Sequence, residues 1–430
     1  METSARVPEV VAWIGLDWAD QSHAIRLAAA GCEGRESFTV EQKPAALHAW
    51  VGQLRARFPQ GKIAVALEQS RGAVIYALMN YDFLLLYPIP PKTLARYREA
   101  FATSGAKSDP TDADLLLELV RTHADRRRVW QPDDALTRQL RLLVEHRRKT
   151  VADRTRLTNR LTALLKTYFP QALEWAGDLR QPAAGEFLPA WPTLEAVQRA
   201  RRAQLKSFYH RHRRLSTEER QDLFRQIDQA QPLTRDSALV EASALMAQGL
   251  AEQLSAAIAV IARREPEMEK LFGPHPDHDL FSGLPGAGEA LAPRLATAFG
   301  SDRDRSQSAE DVLKFSGVAP VTEKSGKTQW VHWRMACPQF VRQSFHEFAA
   351  ASCKNSPWAR AYYQQQRKGG ADHHAAVRSL AYKWIRILYR CWKDRTPYDE
   401  QLYLQSLKRH RSPLWLAVMS VMSSAREAHG

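Results

Sequence analysis

The chain has 430 residues, 44% of them hydrophobic and 25% charged, a balance that allows a buried core and excludes a disordered or low-complexity protein. Its 61 Lys and Arg outnumber 47 Asp and Glu, and the net charge of +14 favours a polyanionic partner, nucleic acid before an anionic membrane surface. The apolar run near the C-terminus, Leu414–Met422, is far shorter than the roughly 20 residues of a membrane-spanning helix, so we expect no membrane partner.

Residues 8–125 alternate between strand and helix patterns. The apolar run Val10–Leu16 predicts a buried central strand, and a partner strand follows at 23–29, with Ile25 and Leu27 on one face. Further strands are predicted at 63–67 and 83–89, and helices at 42–58, 73–79, 92–102 and 110–123. This order predicts a three-layer α/β domain.

Residues 126–275 have a helical period almost throughout. Apolar residues at alternating spacings of three and four predict a coiled-coil seam, formed by Leu136, Leu140, Leu143, Leu157, Leu161, Leu164 and Tyr168. The seam is interrupted at Arg147 and Arg154, so the middle of this helix is either solvated or in contact with an anion. Arg148 adds to a density of basic residues that favours contact of these three arginines with RNA or DNA over a merely solvated face.

Residues 276–405 form a second compact and mostly helical unit, followed by a tail at 406–430. The segment Pro285-Gly286-Ala287-Gly288 resembles a helix-hairpin-helix turn, in which Gly286 and Gly288 would let backbone N–H groups approach a DNA phosphate. A plain loop is equally compatible with this short pattern. The segment His275-Pro276-Asp277-His278-Asp279 is interpreted as a linker, because the sequence offers no third soft metal ligand nearby.

Four carboxylates of the first domain stand at the ends of predicted elements. Asp17 ends the first strand, Glu68 ends a later strand, and Asp109 and Asp112 share one side of the first turn of a helix. If neighbouring strands bring Asp17 and Glu68 to one sheet edge beside that helix, the four groups form an oxygen-rich pocket that suits Mg²⁺ and phosphoryl transfer. Asp109 followed by proline is also typical of a capped helix start, so the residues alone leave both interpretations open.

Two sets of motifs resemble one family. The first set comprises Gly15-Leu16-Asp17-Trp18, the strand-ending Glu68 and Lys107-Ser108-Asp109-Pro110-Thr111-Asp112-Ala113. It resembles the DEDD transposases of bacterial insertion sequences, the IS110 family, which is related to the Piv and MooV DNA invertases. The second set comprises residues 281–288, 315–320 and 324–327, in the order of that family's second domain. The resemblance covers about 8–125 and 278–400.

The resemblance implies a RuvC-like, RNase H-type first domain in which Asp17, Glu68, Asp109 and Asp112 hold magnesium, with manganese as an alternative. It also implies a serine nucleophile in the second domain, at the motif position of Ser325, that forms a covalent phosphoserine link with DNA. A noncoding bridge RNA would select double-stranded donor and target DNA. The enzyme would act as a homo-oligomer, a dimer or tetramer, in which catalytic residues of different protomers meet. The family pattern says little about residues 126–275.

The residues around Ser325 allow two interpretations. A Ser-Gly pair between Lys324 and Lys327 is typical of an ordinary turn. These lysines, with His332 and Arg334, would also neutralise a phosphate that an activated serine attacks, so we expect Lys324, Lys327 and Arg334 to bind nucleic acid. Ser316 is the competing serine, but its apolar segment favours a packing role.

We therefore expect a cytoplasmic, nucleoid-associated transposase that cuts and rejoins DNA. One rival is an enzyme of the same fold that uses water as the nucleophile, like a Holliday-junction resolvase. A second rival is a non-enzymatic nucleic-acid-binding scaffold whose carboxylates are helix caps. The four scattered cysteines lack CxxC spacing, which predicts reduced thiols and neither a disulfide framework nor a structural zinc site.

Overall fold

The computed structural model describes residues 9–68, 71–101, 109–213 and 215–427, without the side chains of residues 101, 109 and 424–427. The chain divides into two compact units that meet in the sequence at Pro132 and Asp133. Residues 133–275 belong to the same unit as the C-terminal helices, and the predicted bounds 8–125, 126–275 and 276–405 stay predictions. The predicted combination of an α/β domain with a mostly helical remainder is confirmed.

The first unit is built on a five-stranded sheet with the order β3-β2-β1-β4-β5. Its strands are β1 (Val10–Asp17), β2 (Ser22–Ala29), β3 (Glu36–Glu41), β4 (Lys62–Leu67) and β5 (Leu84–Pro88). Its helices are α1 (Pro44–Arg57), α2 (Ala73–Leu78), α3 (Pro91–Phe101) and α4 (Asp109–His123), followed by a 3₁₀ turn at Ala124–Arg126. β2 is antiparallel to both β1 and β3, whereas β4 is parallel to β1 and β5.

Alternation along the strands separates two cores, one on each face of the sheet. In β1, Ile14 and Leu16 pack with α1 and α2, including Trp50. In β4, Ala64 and Ala66 face the other side and pack with α4. The sheet is thus the middle of three layers, as the sequence predicted. The sequence analysis missed β3, because only Phe38 and Val40 alternate as apolar residues in this six-residue edge strand.

Two long helices dominate the first part of the second unit. Its first part contains α5 (Ala135–Tyr168), α6 (Ala172–Trp175), α7 (Pro182–Ala190), α8 (Leu194–Gln198), α9 (Arg202–His212), α10 (Thr217–Gln229) and α11 (Ser237–Phe272). Arg147 contacts Glu265 and Thr150 contacts Arg264, so α5 and α11 pack as an antiparallel pair. The short helices between them enclose an aromatic core of their own.

The predicted coiled-coil seam is only partly the buried face of α5. Leu140, Leu161 and Tyr168 are buried, but Thr137, Val144 and Leu165 take the other deeply buried positions. The predicted residues Leu136, Leu143, Leu157 and Leu164 are only partly buried. A straight helix has 3.6 residues per turn, so its contact line drifts from a seven-residue repeat over a length of 34 residues.

Among the described residues, α11 alone is long and apolar enough to cross a membrane. It packs against α5 and α7, and Leu250 and Leu254 lie in the core beneath the short helices. One third of its apolar window is buried, and a single helix of this length and composition is weak evidence for a membrane span.

The rest of the second unit is a helical core with one projecting hairpin. It contains α12 (His278–Ser282), α13 (Gly288–Phe299), α14 (Ala309–Ser316), β6 (Val321–Ser325), β7 (Thr328–His332), α15 (Gln339–Asn355), α16 (Pro357–Lys368), α17 (His373–Asp394), α18 (Glu400–Arg409) and α19 (Pro413–Glu427). Phe345, Trp358 and Trp384 are fully buried among these helices. The segment 406–430, predicted as a tail, contains α19, whose Leu414 and Val418 are part of the same core.

Candidate functional site

Asp17 and Glu68 lie at the same edge of the sheet. β1 and β4 are parallel, with Leu16 opposite Leu67, and so Asp17 and Glu68 are the next residues at their carboxyl ends. Leu16 and Leu67 pack on the side of α1 and α2. Because side chains alternate between the faces of a strand, Asp17 and Glu68 belong to the opposite face, which α4 covers.

Helix α4 approaches β1 so closely that only glycine fits at position 15. A Cβ on Gly15 would lie 1.9 Å from the carbonyl oxygen of Ala113 and 2.4 Å from the backbone nitrogen of Leu117. Gly15 and Asp17 are two residues apart and share a face of the strand. Asp112 precedes Ala113, and so it lies on the turn of α4 that packs on β1.

Asp112 is buried and only half satisfied. It is 1% exposed, and Arg98 of α3 donates to its Oδ1 through Nε at 3.0 Å and through a second guanidinium nitrogen. Its Oδ2 is also buried and has no hydrogen-bond partner in the part of the chain that the structure describes. An unsatisfied buried acceptor costs about 1–3 kcal/mol, so this oxygen fits a cation that completes its coordination.

The four-carboxylate pocket stays a prediction. Asp17 and Glu68 end neighbouring parallel strands, Asp112 lies on the helix that packs on that face, and the side chain of Asp109 lies outside the described residues. Within the described ranges, no three His, Cys, Asp or Glu side chains are grouped closely enough to hold a metal ion. Sequence reasoning missed Arg98, which has no motif of its own and reaches Asp112 only because α3 packs beside α4.

The contact at Gly15 leads to a stability prediction. Replacing Gly15 by alanine should destabilise the first unit by at least about 3 kcal/mol, because backbone atoms of α4 block the Cβ and cannot rotate away. Thermal denaturation checks this value. Gly34→Ala is the matched control, since nothing lies within 4 Å of a Cβ at that position, and its melting temperature should stay near that of the parent protein. Equal melting temperatures for the two variants would contradict the close contact.

Ser325 lies at the end of β6, at the tip of the projecting hairpin. Ser325 pairs with Thr328, and Gly326 and Lys327 form the two-residue connection between the strands. Gly326 has a φ of 58°, which the first position of a type II′ hairpin turn requires. The turn predicted from the sequence is confirmed, and it leaves Ser325, Lys324 and Lys327 exposed.

The competing serine has the packing role that its sequence context predicts. Ser316 is fully buried, and its hydroxyl donates to the carbonyl oxygen of Leu313 at 3.1 Å in the last turn of α14. A substrate phosphate cannot reach this hydroxyl without unfolding the end of the helix. Ser325 therefore remains the accessible candidate of the two.

The two glycines of the predicted DNA-binding turn have different surroundings. A Cβ on Gly286 would lie 2.7 Å from the carbonyl oxygen of Ala351, so this glycine permits the turn to pack against α15. Gly288 is exposed at the start of α13, and nothing lies within 4 Å of a Cβ there. Packing accounts for Gly286, and approach to a phosphate stays a prediction for Gly288.

Alanine substitutions separate these two glycines. Gly286→Ala should cost about 2 kcal/mol or more, because it combines a backbone clash with a φ of 81°. Gly288→Ala should cost only about 1 kcal/mol, because its φ of 53° disfavours alanine but the space is open, and it should weaken duplex binding. Melting temperatures and duplex titrations measure both effects. Unchanged duplex affinity in Gly288→Ala would exclude that glycine from the DNA contact.

Two of the three arginines predicted to bind nucleic acid are already paired within the protein. Arg147 contacts Glu265 of α11 with its Nε at 3.2 Å, and Arg148 contacts Glu347 of α15 at 3.2 Å. At Arg147, where the apolar seam of α5 is interrupted, the anionic partner is thus Glu265 of the protein itself. These ion pairs give Arg147 and Arg148 a role in helix packing, and their contact with nucleic acid stays a prediction. Arg154 has no ion pair to a described residue, and its contact with nucleic acid stays a prediction.

The segment predicted as a linker, 275–279, is a hydrogen-bonded junction. His275 is buried, with its Nε2 2.9 Å from the hydroxyl of Thr137, and its Nδ1 accepts from the backbone N–H of Asp277. Arg303 forms an ion pair with Asp277. Burial lowers the pKa of His275, which favours a neutral ring. These contacts fix His275 and Asp277 within the fold of the second unit.

All four cysteines are free.

The basic side chains at and beside the hairpin differ in their contacts. Arg334, just beyond the hairpin, donates through Nε to the carbonyl oxygen of Ala319 at 3.4 Å and holds the two ends of the hairpin together. Lys324 and Lys327 point their charges into solvent. Nucleic-acid binding by these three residues stays a prediction.

Comparison with known proteins identifies the family. Residues 14–170 match the model of the DEDD-type IS110 transposases, described as a transposase, and residues 278–364 match the model described as the transposase IS116/IS110/IS902 family. The chain is 29% identical to the mini-circle putative transposase for IS117 of Streptomyces coelicolor, over 79% of this chain and 83% of the relative. It is 25% identical to the insertion element IS110 uncharacterized 43.6 kDa protein of the same species, over 92% of this chain and 97% of the relative. It is 24% identical to the insertion element IS900 uncharacterized 42 kDa protein of Mycobacterium paratuberculosis, over 90% and 96%.

The two family models match the two regions that carried the resemblance in the sequence, and together they cover more than half of the chain. The intervening residues 171–277 lie outside both models. The chain belongs to the IS110 family of insertion-sequence transposases, enzymes that cut and rejoin DNA.

Proposed function

We propose that this transposase breaks and rejoins DNA strands with a RuvC-like, RNase H-type carboxylate site and a covalent phosphoserine intermediate at Ser325. The observation that carries the first part is the buried, unpartnered Oδ2 of Asp112 beside the edge where Asp17 and Glu68 end parallel strands. The mixed five-stranded sheet, with three antiparallel strands followed by two parallel ones, supports the RNase H-type comparison.

The carboxylates would hold a divalent metal ion, Mg²⁺ or Mn²⁺. Asp17, Glu68, Asp109 and Asp112 supply hard oxygen ligands, which both ions prefer. When bound, the ion would polarise the phosphate and stabilise charge on its oxygens. Arg98 fixes the orientation of Asp112 by holding Oδ1, and thereby directs the free Oδ2 away from α3. Gly15 keeps α4 close enough to β1 for Asp112 to take part.

The attack by serine exchanges one phosphoester bond for another, so atoms and charge are conserved and no external energy source is needed. The hydroxyl oxygen of Ser325 forms a bond to the phosphorus of a phosphodiester, while the bond from that phosphorus to one deoxyribose oxygen breaks. Ser325 gives up its proton and the departing sugar oxygen takes one up. A hydroxyl of a different strand then attacks the phosphoserine, which rejoins DNA and restores the serine. Lys324 and Lys327 are placed to neutralise the phosphate.

We further propose double-stranded donor and target DNA as substrates, a noncoding bridge RNA as guide, and a dimer or tetramer as the active form. The net charge of +14 supports a polyanionic partner, and the resemblance supplies the RNA. Expression together with flanking element DNA, followed by sequencing of co-purified nucleic acid, tests the guide. A discrete RNA that maps beside the coding region is expected, and bulk cellular RNA would remove the guide from the proposal.

Covalent trapping tests the serine chemistry. The full-length protein is incubated with Mg²⁺ and a nicked duplex of the element end, so that the small cleaved fragment diffuses away and the intermediate accumulates. Denaturing electrophoresis should then show DNA attached to protein, and peptide mass spectrometry should place the nucleotide on Ser325. Cleaved DNA without any attached protein would identify water as the nucleophile and support a resolvase-like enzyme instead.

A further inference from the structure

The hairpin β6–β7 has no covering partner in the part of the chain that the structure describes. None of its residues from 321 to 332 is buried, so both faces of the two-stranded sheet are open among the described residues. An isolated two-stranded hairpin is only marginally stable in water. Something that binds against the hairpin would therefore complete its stabilisation.

The base of the hairpin is held by stacked cations. The guanidinium of Arg378 lies 3.4 Å from the centre of the Trp333 ring, and that of Arg342 lies 5.3 Å from it. Arg342 also donates to the carbonyl oxygens of Arg334 and Met335. Trp333 thus anchors the outgoing end of β7 to α15 and α17, and the tip projects from a fixed base.

Strand register places an exposed tryptophan on the face that carries Ser325. Ser325 pairs with Thr328, and Glu323 pairs with Trp330. Side chains directly opposite in an antiparallel pair share a face, and so do residues two apart on one strand. Ser325 and Trp330 are therefore diagonal neighbours, about 7–8 Å apart between backbones in ordinary sheet geometry. The indole of Trp330 is 50% exposed.

The charges on the hairpin favour a nucleic-acid strand as the partner. Lys324 and Lys327 are exposed, and among the described residues neither has a carboxylate within ion-pairing distance. Glu323, the one acidic residue between 321 and 332, lies 3.5 Å from His332. Lys327 lies in the turn next to Ser325, Lys324 points to the opposite face of the hairpin, and Glu323 lies directly across from Trp330. An exposed indole near a lysine of the turn is a combination that binds single-stranded DNA, through base stacking and phosphate neutralisation. A second hairpin docked on this one would instead bring the exposed lysines of both copies together.

We propose that Trp330 stacks on a base of the DNA strand that is cut, and so positions the adjacent phosphodiester at the hydroxyl of Ser325. This inference rests on the proposed role of Ser325. Trp330 makes no bond to the reacting phosphorus and is a positioning residue. It selects unstacked nucleotides in general, because every base has an aromatic face.

Three variants of the full-length protein test this proposal. Trp330→Ala should weaken binding of a fluorescein-labelled oligothymidylate by about 5- to 30-fold, whereas Trp330→Phe should stay within about twofold of the parent. Val331→Ala is the matched control, because Val331 is 63% exposed on the opposite face of the same strand. The slope of log Kd against log salt should not change in Trp330→Ala, because no phosphate contact is lost.

Two further readouts separate positioning from other roles. Even when DNA saturates the protein, Trp330→Ala should form the covalent product more slowly than the parent does. Loss of a residue that contributes only to affinity would change Kd and leave this rate unchanged. If Trp330→Ala binds oligothymidylate with the affinity of the parent protein, the proposal is overturned. If the Trp330→Ala protein also fails to form the multimer of the parent, this face of the hairpin binds a second copy of the chain instead. Ser325→Ala should bind oligothymidylate normally. If Ser325→Ala still forms the covalent product, the proposed function fails while the binding result for Trp330 stands.

Discussion

Ser325→Ala should abolish the covalent protein–DNA product and lower strand transfer by at least about a thousandfold. Alanine has no side-chain oxygen to attack phosphorus. The carboxylates of the first unit cannot form a phosphoserine in its place. The fold should be unaffected, because Ser325 is exposed at a hairpin tip and surface substitutions usually change stability by less than about 0.5 kcal/mol. Gel analysis of the trapped product and a strand-transfer assay measure the loss.

Two other hydroxyl deletions give the contrast. Thr328→Ala removes an exposed hydroxyl directly across from Ser325, and we expect product formation within a few-fold of the parent. Ser316→Ala removes a buried hydroxyl that donates to Leu313, so it should lower stability by about 1 kcal/mol and leave the chemistry intact. Cleavage that continues at the parent rate in Ser325→Ala, without a covalent product, would transfer the role of nucleophile to water.

The sequence predicted the carboxylate edge because apolar runs show where buried strands end. The run that ends before Asp17 and the one that ends before Glu68 are both strands in the structure, and their parallel pairing brings the two ends together. The spacing of Asp109 and Asp112 likewise marked the first turn of α4. These features are local, and each could be read within a window of a few residues.

Contacts between distant residues could not be predicted in this way. Arg98 lies on a helix with no distinguishing motif, and its bond to Asp112 depends on how α3 and α4 pack. The same holds for Arg147, whose density of basic neighbours indicated nucleic acid although Glu265 of α11 pairs with it. A single sequence shows the charge of a side chain but not the partner that folding brings to it.

Glycines illustrate the same limit at a single motif. Gly286 and Gly288 are equivalent as far as the sequence shows, and both have a positive φ in the structure. Only Gly286 lies against the backbone of another helix. The sequence marks Gly15 only as a member of the Gly-Leu-Asp-Trp motif, although the position of α4 against β1 depends on it. The reason for a glycine is set by its neighbour in space, which local patterns do not reveal.

Asp112→Asn should lower DNA cleavage by at least about a thousandfold and remove the response of the protein to magnesium. In the parent, Mg²⁺ at ten times its Kd should stabilise the native state by about 1.4 kcal/mol through mass action, provided that it binds only the folded protein. The asparagine side chain of the variant would keep an acceptor for Arg98 but would present a neutral amide where Oδ2 was free, and a divalent cation gains little from it. The metal-free variant should also lose about 1–2 kcal/mol, because Arg98 exchanges a charged acceptor for a neutral one.

Asp114→Asn is the matched control on the same helix. Asp114 accepts from the Nε of Arg26 at 2.9 Å, is partly exposed, and lies outside the predicted ligand set. Its variant should lose a little stability, keep the magnesium-dependent rise in melting temperature, and cleave DNA normally. Asp17→Asn should behave like Asp112→Asn, because both carboxylates belong to the predicted ligand set. If Asp112→Asn and Asp114→Asn respond equally to magnesium, then the free oxygen of Asp112 is not a metal ligand and Arg98 is its structural partner alone.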